Sequence, residues 1–529
     1  MRRKTAIGKG LAWVLTFSAL LTRPVAAQTT AGERPNIVYI LADDLGYGDV
    51  KCLNAGGKLA TPNLDRLAAQ GMIFTDAHGS SAVCTPTRYG ILTGRYNWRS
   101  RLQSGVLNGY SPALIKPGQL TVAALLKEQG YQTACFGKWH LGLDLPPNPT
   151  SGDAAANPAP APVDFTRPIT DSPVNHGFDY FFGISGSLDM PPFVYIENNH
   201  WTEVPTVEKR WGRQGPAAAD FEAVDVLPTL TRKVIAYLDE HARTGGPIFL
   251  YFPLNSPHTP IVPAPAWKGK SGINDYGDFV METDWAVGQV LAAMDRNGLV
   301  TNTLVMFASD NGCSPSADYP TLLAHGHNPS YLFRGTKSDI WDGGHHIPLL
   351  VRWPGKIAAG TSSDQTVSLN DLMATCADIL GTTLPPTNGQ DSVSLLPALL
   401  GKADKPLREA IVYHSIEGRF AIRQGNWKLE LCPGSGGWSN PRDPAAKQQG
   451  LPLVQLYDLA ADIGETNNLQ AAHPEVVARL TQLLEKYVAE GRSTPGPSLA
   501  NDRPVDIWKN RLNAPKKTKP ANAGEPVPD

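Results

Sequence analysis

At 529 residues, 42% of them hydrophobic and 18% charged, the chain can bury a large core and has the composition of an ordinary globular protein. Its formal charge of −2 moves to −7 once residues 1–27, with five basic side chains and no acidic one, are set aside. That balance excludes a global positive field for nucleic acid, so an anionic ligand must be met by locally placed cations.

In chain order, Arg2, Arg3, Lys4 and Lys9 precede the apolar run Leu11–Leu21, and Val25-Ala26-Ala27 offers small residues at a cleavage position. This is the anatomy of a signal peptide over residues 1–27, cleaved near Ala27, with an apolar run too short to span a bilayer. A periplasmic or extracellular location is expected, with no membrane span. No cysteine at the cleavage position offers a lipid anchor.

Four apolar, β-rich runs then end in chemically capable residues. They are Ile37–Ala42 before Asp43 and Asp44, Thr133–Phe136 before Lys138 and His140, Ile248–Phe252 before His258, and Leu304–Ala308 before Asp310 and Asn311. Short continuous apolar runs suit strands buried on both faces of a mixed or parallel sheet. Helical patterns lie between them at Asn63–Gln70, at Val122–Lys127, and from Tyr276 to Met294 with closure at Gly298. The alternation predicts an α/β fold, a large mixed sheet sandwiched by helices, with ligands beyond the carboxyl ends of its strands. Pro146–Pro173 is rich in Pro and Ala and reads as a surface insertion.

The catalytic domain is expected over residues 34–400. A smaller α+β subdomain over 401–492 follows, with strands at Ala410–His414 and Gly418–Leu431, then the segment Leu456–Leu459 and an amphipathic helix from Pro474 to about Glu490. Residues 493–529, rich in Pro, Lys, Ala and Asn, read as an irregular tail.

One short segment gathers the remaining signals: Cys84-Thr85-Pro86-Thr87-Arg88, then Leu92-Thr93-Gly94-Arg95. Proline favours the first turn of a helix, which puts residue 84 at a positive helix end, a natural anion site, with Arg88 one turn away. Taken singly, a cysteine near proline is a small buried hydrophobe, a strand-end Asp is a loop cap, and a lone His is a packed or surface group. Together the residues spell C-x-P-x-R-x-x-x-L-T-G-R, which resembles the signature of type I, formylglycine-dependent sulfatases of the alkaline phosphatase-like superfamily. Ala42–Asp49, Gly137–Gly142 (G-K-W-H-L-G) and Ser309–Gly312 resemble further motifs of that family. Asn175–Gly183 and Asp189–Tyr195 look like the arylsulfatase A-like and N-acetylgalactosamine-6-sulfatase-like members.

The resemblance implies a mechanism. A sulfate ester needs a strong nucleophile, positive charge on its oxygens and an acid for the leaving oxygen. Cys84 would be oxidised by a formylglycine-generating enzyme, and its hydrated aldehyde would attack sulfur with support from Arg88. Asp43, Asp44, Asp310 and Asn311 would hold Ca²⁺, with Mg²⁺ as the alternative, as hard oxygen donors do; modified Cys84 would touch the ion as well. Asp310 would also take the nucleophile's proton. Lys138 would contact sulfate and the modified residue, and His140 would deprotonate the second hydroxyl to expel sulfate. His258, favoured as general acid for its pKa near neutrality, would work with Lys337 as electrostatic partner, the reverse order staying open. Arg95 reads as structural.

Trp341–Pro348 resembles the family's E-G-G-x-R-V-P with two departures: Asp342 replaces the glutamate, and His346 stands at the arginine. The expected substrate is a sulfated carbohydrate or an aryl sulfate, with His325, His327, Asn328, His345 and His346 as a possible sugar subsite. The alternatives are a phosphodiester or phosphonate monoester hydrolase of the same superfamily, and a catalytically silent glycan-binding protein with unmodified Cys84. Six cysteines occur (Cys52, Cys84, Cys135, Cys313, Cys376, Cys432) with no framework spacing, so no disulfide pair is assigned.

Overall fold

The computed structural model describes residues 34–147 and 163–509, together with Met1. The signal-peptide segment, most of the Pro/Ala-rich insertion and the last twenty residues lie outside the described residues. Arg34 onward forms one compact unit.

Its centre is a ten-stranded mixed sheet. The order is Thr361–Ser363, Met72–Phe74, Leu349–Arg352, Thr303–Ser309, Asn36–Ala42, Ile248–Pro253, Gln132–Lys138, Tyr180–Ile184, Ile196–Glu197 and His200–Trp201. The five strands from Thr303–Ser309 to Tyr180–Ile184 run parallel, and Leu349–Arg352 lies antiparallel beside them. All four expected strands are here, side by side in the order Thr303–Ser309, Asn36–Ala42, Ile248–Pro253, Gln132–Lys138. Their continuous apolar sequences follow from burial on both faces: Ile37, Ile40, Phe249, Leu250, Val305 and Phe307 have no exposed surface.

Two groups of helices pack against this sheet. Pro62–Ala69, Ala223–Thr244 and Asp275–Arg296 contact one another, and Cys84–Thr93, Val122–Glu128 and Leu372–Ile379 form the second group. The Ala223–Thr244 helix buries Val226, Leu227, Leu230, Val234 and Leu238, a 3–4 spacing that makes one apolar stripe. Each such side chain contributes about 1.5–3 kcal/mol of burial. The expected helix from Tyr276 begins one residue earlier, at Asp275, because the Asn274 side chain accepts from Gly277 N at 3.0 Å and caps it.

A separate four-stranded antiparallel sheet follows: Ile411–His414, Phe420–Gln424, Trp427–Glu430 and Gln455–Asp458. The stretch Gly418–Leu431, read as one strand, is instead a hairpin. Gly425, at φ 58°, takes the left-handed conformation that the two-residue turn requires. The helix Pro474–Ala489 buries Val476, Leu480, Leu484 and Tyr487 against this sheet. Residues 493–509 carry no helix or strand, as expected of the tail, yet they are tied down. Asp502 N donates to Arg99 O, and Ser493 Oγ donates to Asp391. All six cysteines are free thiols.

Candidate active site and metal centre

Register assembles the site. Ala42 pairs with Ser309, so the next residues, Asp43 and Asp310, leave the sheet at one level, and Asp310 N donates back to Ala42 O at 3.1 Å. Successive side chains on a strand point to opposite faces. Asp44 escapes that alternation by adopting φ 66°, which brings carboxylate oxygens of Asp43 and Asp44 and a ring nitrogen of His258 within 4.8 Å of one another. His258 comes from the loop after Ile248–Pro253, held where Asp43 N donates to Ser256 O at 2.9 Å. Gly137 lets Gln132–Lys138 approach closely: at φ 136°, a Cβ there would lie 1.8 Å from Pro253 O.

Cys84 is the first residue of the Cys84–Thr93 helix and is buried, with its sulfur within 4.8 Å of oxygens of Asp43 and Asp310. Burial pushes its thiol above the ordinary value, with Lys138 and Lys337 opposing. A thiol kept protonated is a poor nucleophile. One turn on, Arg88 Nε and Nη2 meet Asp310 Oδ2 at 3.0 and 2.8 Å, and Nη1 donates to Lys138 O.

Three permanent cations face three carboxylates. Lys138 Nζ lies 2.6 Å from Asp43, Lys337 Nζ 2.8 Å from Asp44, and Arg88 on Asp310. Burial works against ionised Asp43, but Lys138, then His258 and Arg88, hold it well below the carboxylate range. Asp310 goes the other way. Burial and the neighbouring Asp43 charge push it up to about 7, so it is the carboxyl able to exchange a proton near neutrality. Burial opposes the Lys337 ammonium, yet Asp44 keeps it protonated far above neutrality.

The two histidines are set differently. His140, at φ 55°, places Nε2 at 2.7 Å from Leu107 O, which makes that nitrogen the donor; its Nδ1 is buried and unpartnered. Burial and Lys138 hold its pKa well below the ordinary value, so Nδ1 carries a free lone pair. His258 donates from Nδ1 to Thr259 O at 2.5 Å and turns Nε2 towards Asp44 at 3.6 Å. Burial and Lys337 lower its pKa too.

Asp43 Oδ1 and Asn311 Oδ1 are buried oxygens without hydrogen-bond partners, and Asn311 Nδ2 donates to Asp44 Oδ1 at 2.7 Å, which fixes the amide's orientation. Buried orphan acceptors are costly, and here they belong to a set of hard oxygen donors. The set fits Ca²⁺ or Mg²⁺. A groove of ≈ 510 Å³ elsewhere, lined by Arg408 and Arg423 among others, shares none of these residues.

The structure thus brings together all ten expected catalytic and metal-site residues. It does not gather the expected sugar subsite. His327 is fully buried between Lys58 N and Asp49 Oδ1. His345 is fully buried beside His78 and Lys428, and His346 stacks on Phe333 with its nitrogens on Asp342 and Thr75 O. Asn328 bonds Tyr331 O and Ser330 N, and exposed His325 bonds Thr321 O. Spacing next to Lys337 could not show that these groups were already engaged. Arg95, as expected, is structural, on Tyr89, Arg99 O and Asp502. Asp49 was missed: it accepts from Gly46 N, Tyr276 Oη and His327, and so fixes the turn after Asp44. It is the last residue of the Ala42–Asp49 motif, whose match gave it no role of its own.

A family model described as Sulfatase matches residues 35–382. An N-acetylgalactosamine-6-O-sulfatase of Bacteroides thetaiotaomicron is 35% identical over 505 residues, covering 86% of this chain and 93% of that protein. Human arylsulfatase A is 34% identical over 501 residues, covering 90% and 92%. A structure solved in work on the metabolism of multiple glycosaminoglycans by Bacteroides thetaiotaomicron superposes with a TM-score of 0.74 at 34% identity, over 86% of this chain and 99% of that one.

Proposed function

From the premise that the chain belongs to the sulfatase family and hydrolyses sulfate esters, we propose that it is an exported, formylglycine-dependent sulfatase acting on sulfated carbohydrates. The observation that carries this reading is the convergence of Cys84, three cations and orphan oxygen donors at one set of strand ends. The carbohydrate assignment is supported by the name of the Bacteroides relative, and export by the N-terminal sequence.

Residue 84, matured to formylglycine, would supply a hydrated aldehyde as nucleophile, and Asp43, Asp44, Asp310 and Asn311 would hold a divalent cation that would neutralise charge on the sulfate oxygens. This chain's side chains do the rest. Lys138 and Lys337 flank the site from opposite carboxylates and bind the sulfuryl oxygens. Asp310 accepts the nucleophile's proton while Arg88 fixes its orientation. His140 Nδ1, the free base, removes the proton whose loss expels sulfate; Leu107 O sets that tautomer.

His258 serves as the leaving-group acid with Lys337 as its electrostatic partner, a reading supported by their surroundings. With no anion bound, His258 is neutral and Lys337 holds its proton. Entry of a sulfate ester weakens Lys337's hold on His258 by neutralisation, raises the imidazole's pKa, and so lets it take up the proton it delivers.

The test is the mass of the tryptic peptide Leu67–Arg88 after co-expression with a formylglycine-generating enzyme, where Cys→formylglycine removes about 18 Da. Matured protein should release sulfate from N-acetylgalactosamine-6-sulfate and leave phosphonate monoesters intact. An unmodified thiol beside a competent maturation enzyme sinks the mechanism.

A further inference from the structure

Residues 334–344 form a strap between the candidate site and the small sheet. On the site side, Lys337 N donates to Cys313 O at 2.8 Å, and Ser338 N to Ala82 O at 2.8 Å, two residues before Cys84. Gly312, next to Asn311, donates to Gly344 O at 2.9 Å, and at this closeness no side chain fits: a Cβ on Gly312 would lie 1.9 Å from Gly343 O. The position of Lys337, and part of that of Asn311, is therefore the position of the strap.

On the far side the strap is held by Ile340 N on Ser435 O, Trp341 Nε1 on Gln455 Oε1, Arg334 Nη1 on Glu465 O and one buried ammonium. Lys428, on the Trp427–Glu430 strand, is fully buried and places Nζ at 3.0 Å from Ile340 O, 2.7 Å from Asp342 Oδ1 and 2.6 Å from Glu465 Oε1. Glu465 Oε2 in turn accepts from Asp342 N at 2.7 Å. The same ammonium lies 3.3 Å from His345 Nε2. That nitrogen also lies 3.0 Å from Ile340 O, while His345 Nδ1 faces His78 Nδ1 at 3.1 Å and His78 Nε2 lies 2.9 Å from Asp76. A continuous set of polar contacts thus runs from the small sheet to the segment leading into Cys84. It occupies the space among Asp342, His345 and His78 that a bound cation would otherwise suit.

We propose that Lys428 is a positioning residue: through the strap it sets where Lys337 meets the sulfuryl group. Stability alone does not account for it, since a buried ion cluster is commonly no more stable than an apolar replacement of the same volume. What the cluster adds is direction, because carbonyl and carboxylate of one turn must both face one point. It also accounts for the two motif departures. The cation partner of Asp342 comes from the small sheet, and His346 is free to pack on Phe333.

The inference rests on the sulfate-binding reading of Lys337, so its test pairs two readouts on the full-length matured protein. Hydrogen exchange of the amides of Gly312, Lys337 and Ser338 reports the strap, and calorimetric binding of inorganic sulfate reports the site. Lys428→Met should raise exchange across the strap while the small sheet stays protected, and weaken sulfate on the order of tenfold. Hydrolysis of a fluorogenic aryl sulfate should lose through KM at least as much as through kcat, and Lys428→Arg should recover part of the loss. Glu430→Gln, equally buried and 3.2 Å from Lys428 but without a hydrogen bond to the strap among the described residues, should leave both readouts near wild type. Should Lys428→Met fail to fold, Asp342→Asn keeps the amide bond to Glu465 and carries the same expectation. Unchanged strap exchange, or unchanged sulfate affinity beside a loosened strap, overturns the proposal. A wild type that binds no sulfate overturns the sulfate-binding reading instead, while strap exchange still decides whether Lys428 holds it.

Discussion

Two buried charge clusters lie on either side of the strap, and they are built to different rules. The site sets Asp43, Asp44 and Asp310 against Arg88, Lys138 and Lys337, three acids to three permanent cations. The seam gathers Asp342, Glu430 and Glu465 around the single lysine Lys428, with His346 Nδ1 3.3 Å from Asp342. The balanced cluster can lose one partner and still hold its charges, and it retains orphan atoms on Asp43, Asn311 and His140 for a ligand. In the unbalanced one a single ammonium is shared by all three acids. Redundancy marks the place where chemistry happens, and its absence marks the place where geometry is fixed.

That contrast can be broken at several points. The largest effect belongs to Cys84→Ala, which should cost at least about 10⁴-fold in sulfate-ester turnover while the melting temperature reports a loss of only about 1 kcal/mol. A large stability loss would mean that the balanced cluster needs residue 84 for folding. Next is Lys428→Met, expected to destabilise by about 3–5 kcal/mol as an uncompensated buried pair does. Lys337→Met should cost less stability when both variants are titrated with urea, since Asn311 still donates to Asp44; equal losses would erase the distinction.

Divalent cations should act on one cluster only. Saturating Ca²⁺ at 100 times its Kd should stabilise chelator-treated protein by about 2.7 kcal/mol. Asp310→Asn should reduce that gain, and Glu430→Gln should not.

The smallest effect is a pH dependence. Asp310 ionises near 3.8 when unfolded and near 7 when folded, so its burial destabilises the folded state increasingly as pH rises from about 4 to 7 and by a constant amount above that. In chelator, Asp310→Asn should therefore gain melting temperature over wild type across that window and no further. A gain independent of pH would place the raised pKa elsewhere.

The sequence carried the site further than the fold. Asp43, Lys138, His258 and Asp310 were legible because each directly follows, or lies a few residues beyond, a strand whose apolar run is unmistakable, and register does the rest. The Ala223–Thr244 helix escaped notice, with Pro228 inside it to mask the period. The hairpin at Gly425 was hidden because both its arms are strand-like. His345 and His346 misled for a physical reason: polar residues near a binding loop look alike in sequence whether they face solvent or a buried lysine. Only the partner 83 residues away tells them apart.

Asp44 and His140 share one further trait, left-handed backbone at φ 66° and 55°. Each non-glycine residue held there stores about 1–2 kcal/mol. A laboratory selection for heat tolerance would therefore meet a temptation at these two codons. Glycine, which adopts that conformation at no steric cost, would relax the backbone and could register as a hardier protein. The clones enriched would have lost the proposed metal-ligand carboxylate or the free imidazole, so on the proposed mechanism a screen by melting temperature alone would reward inactive molecules.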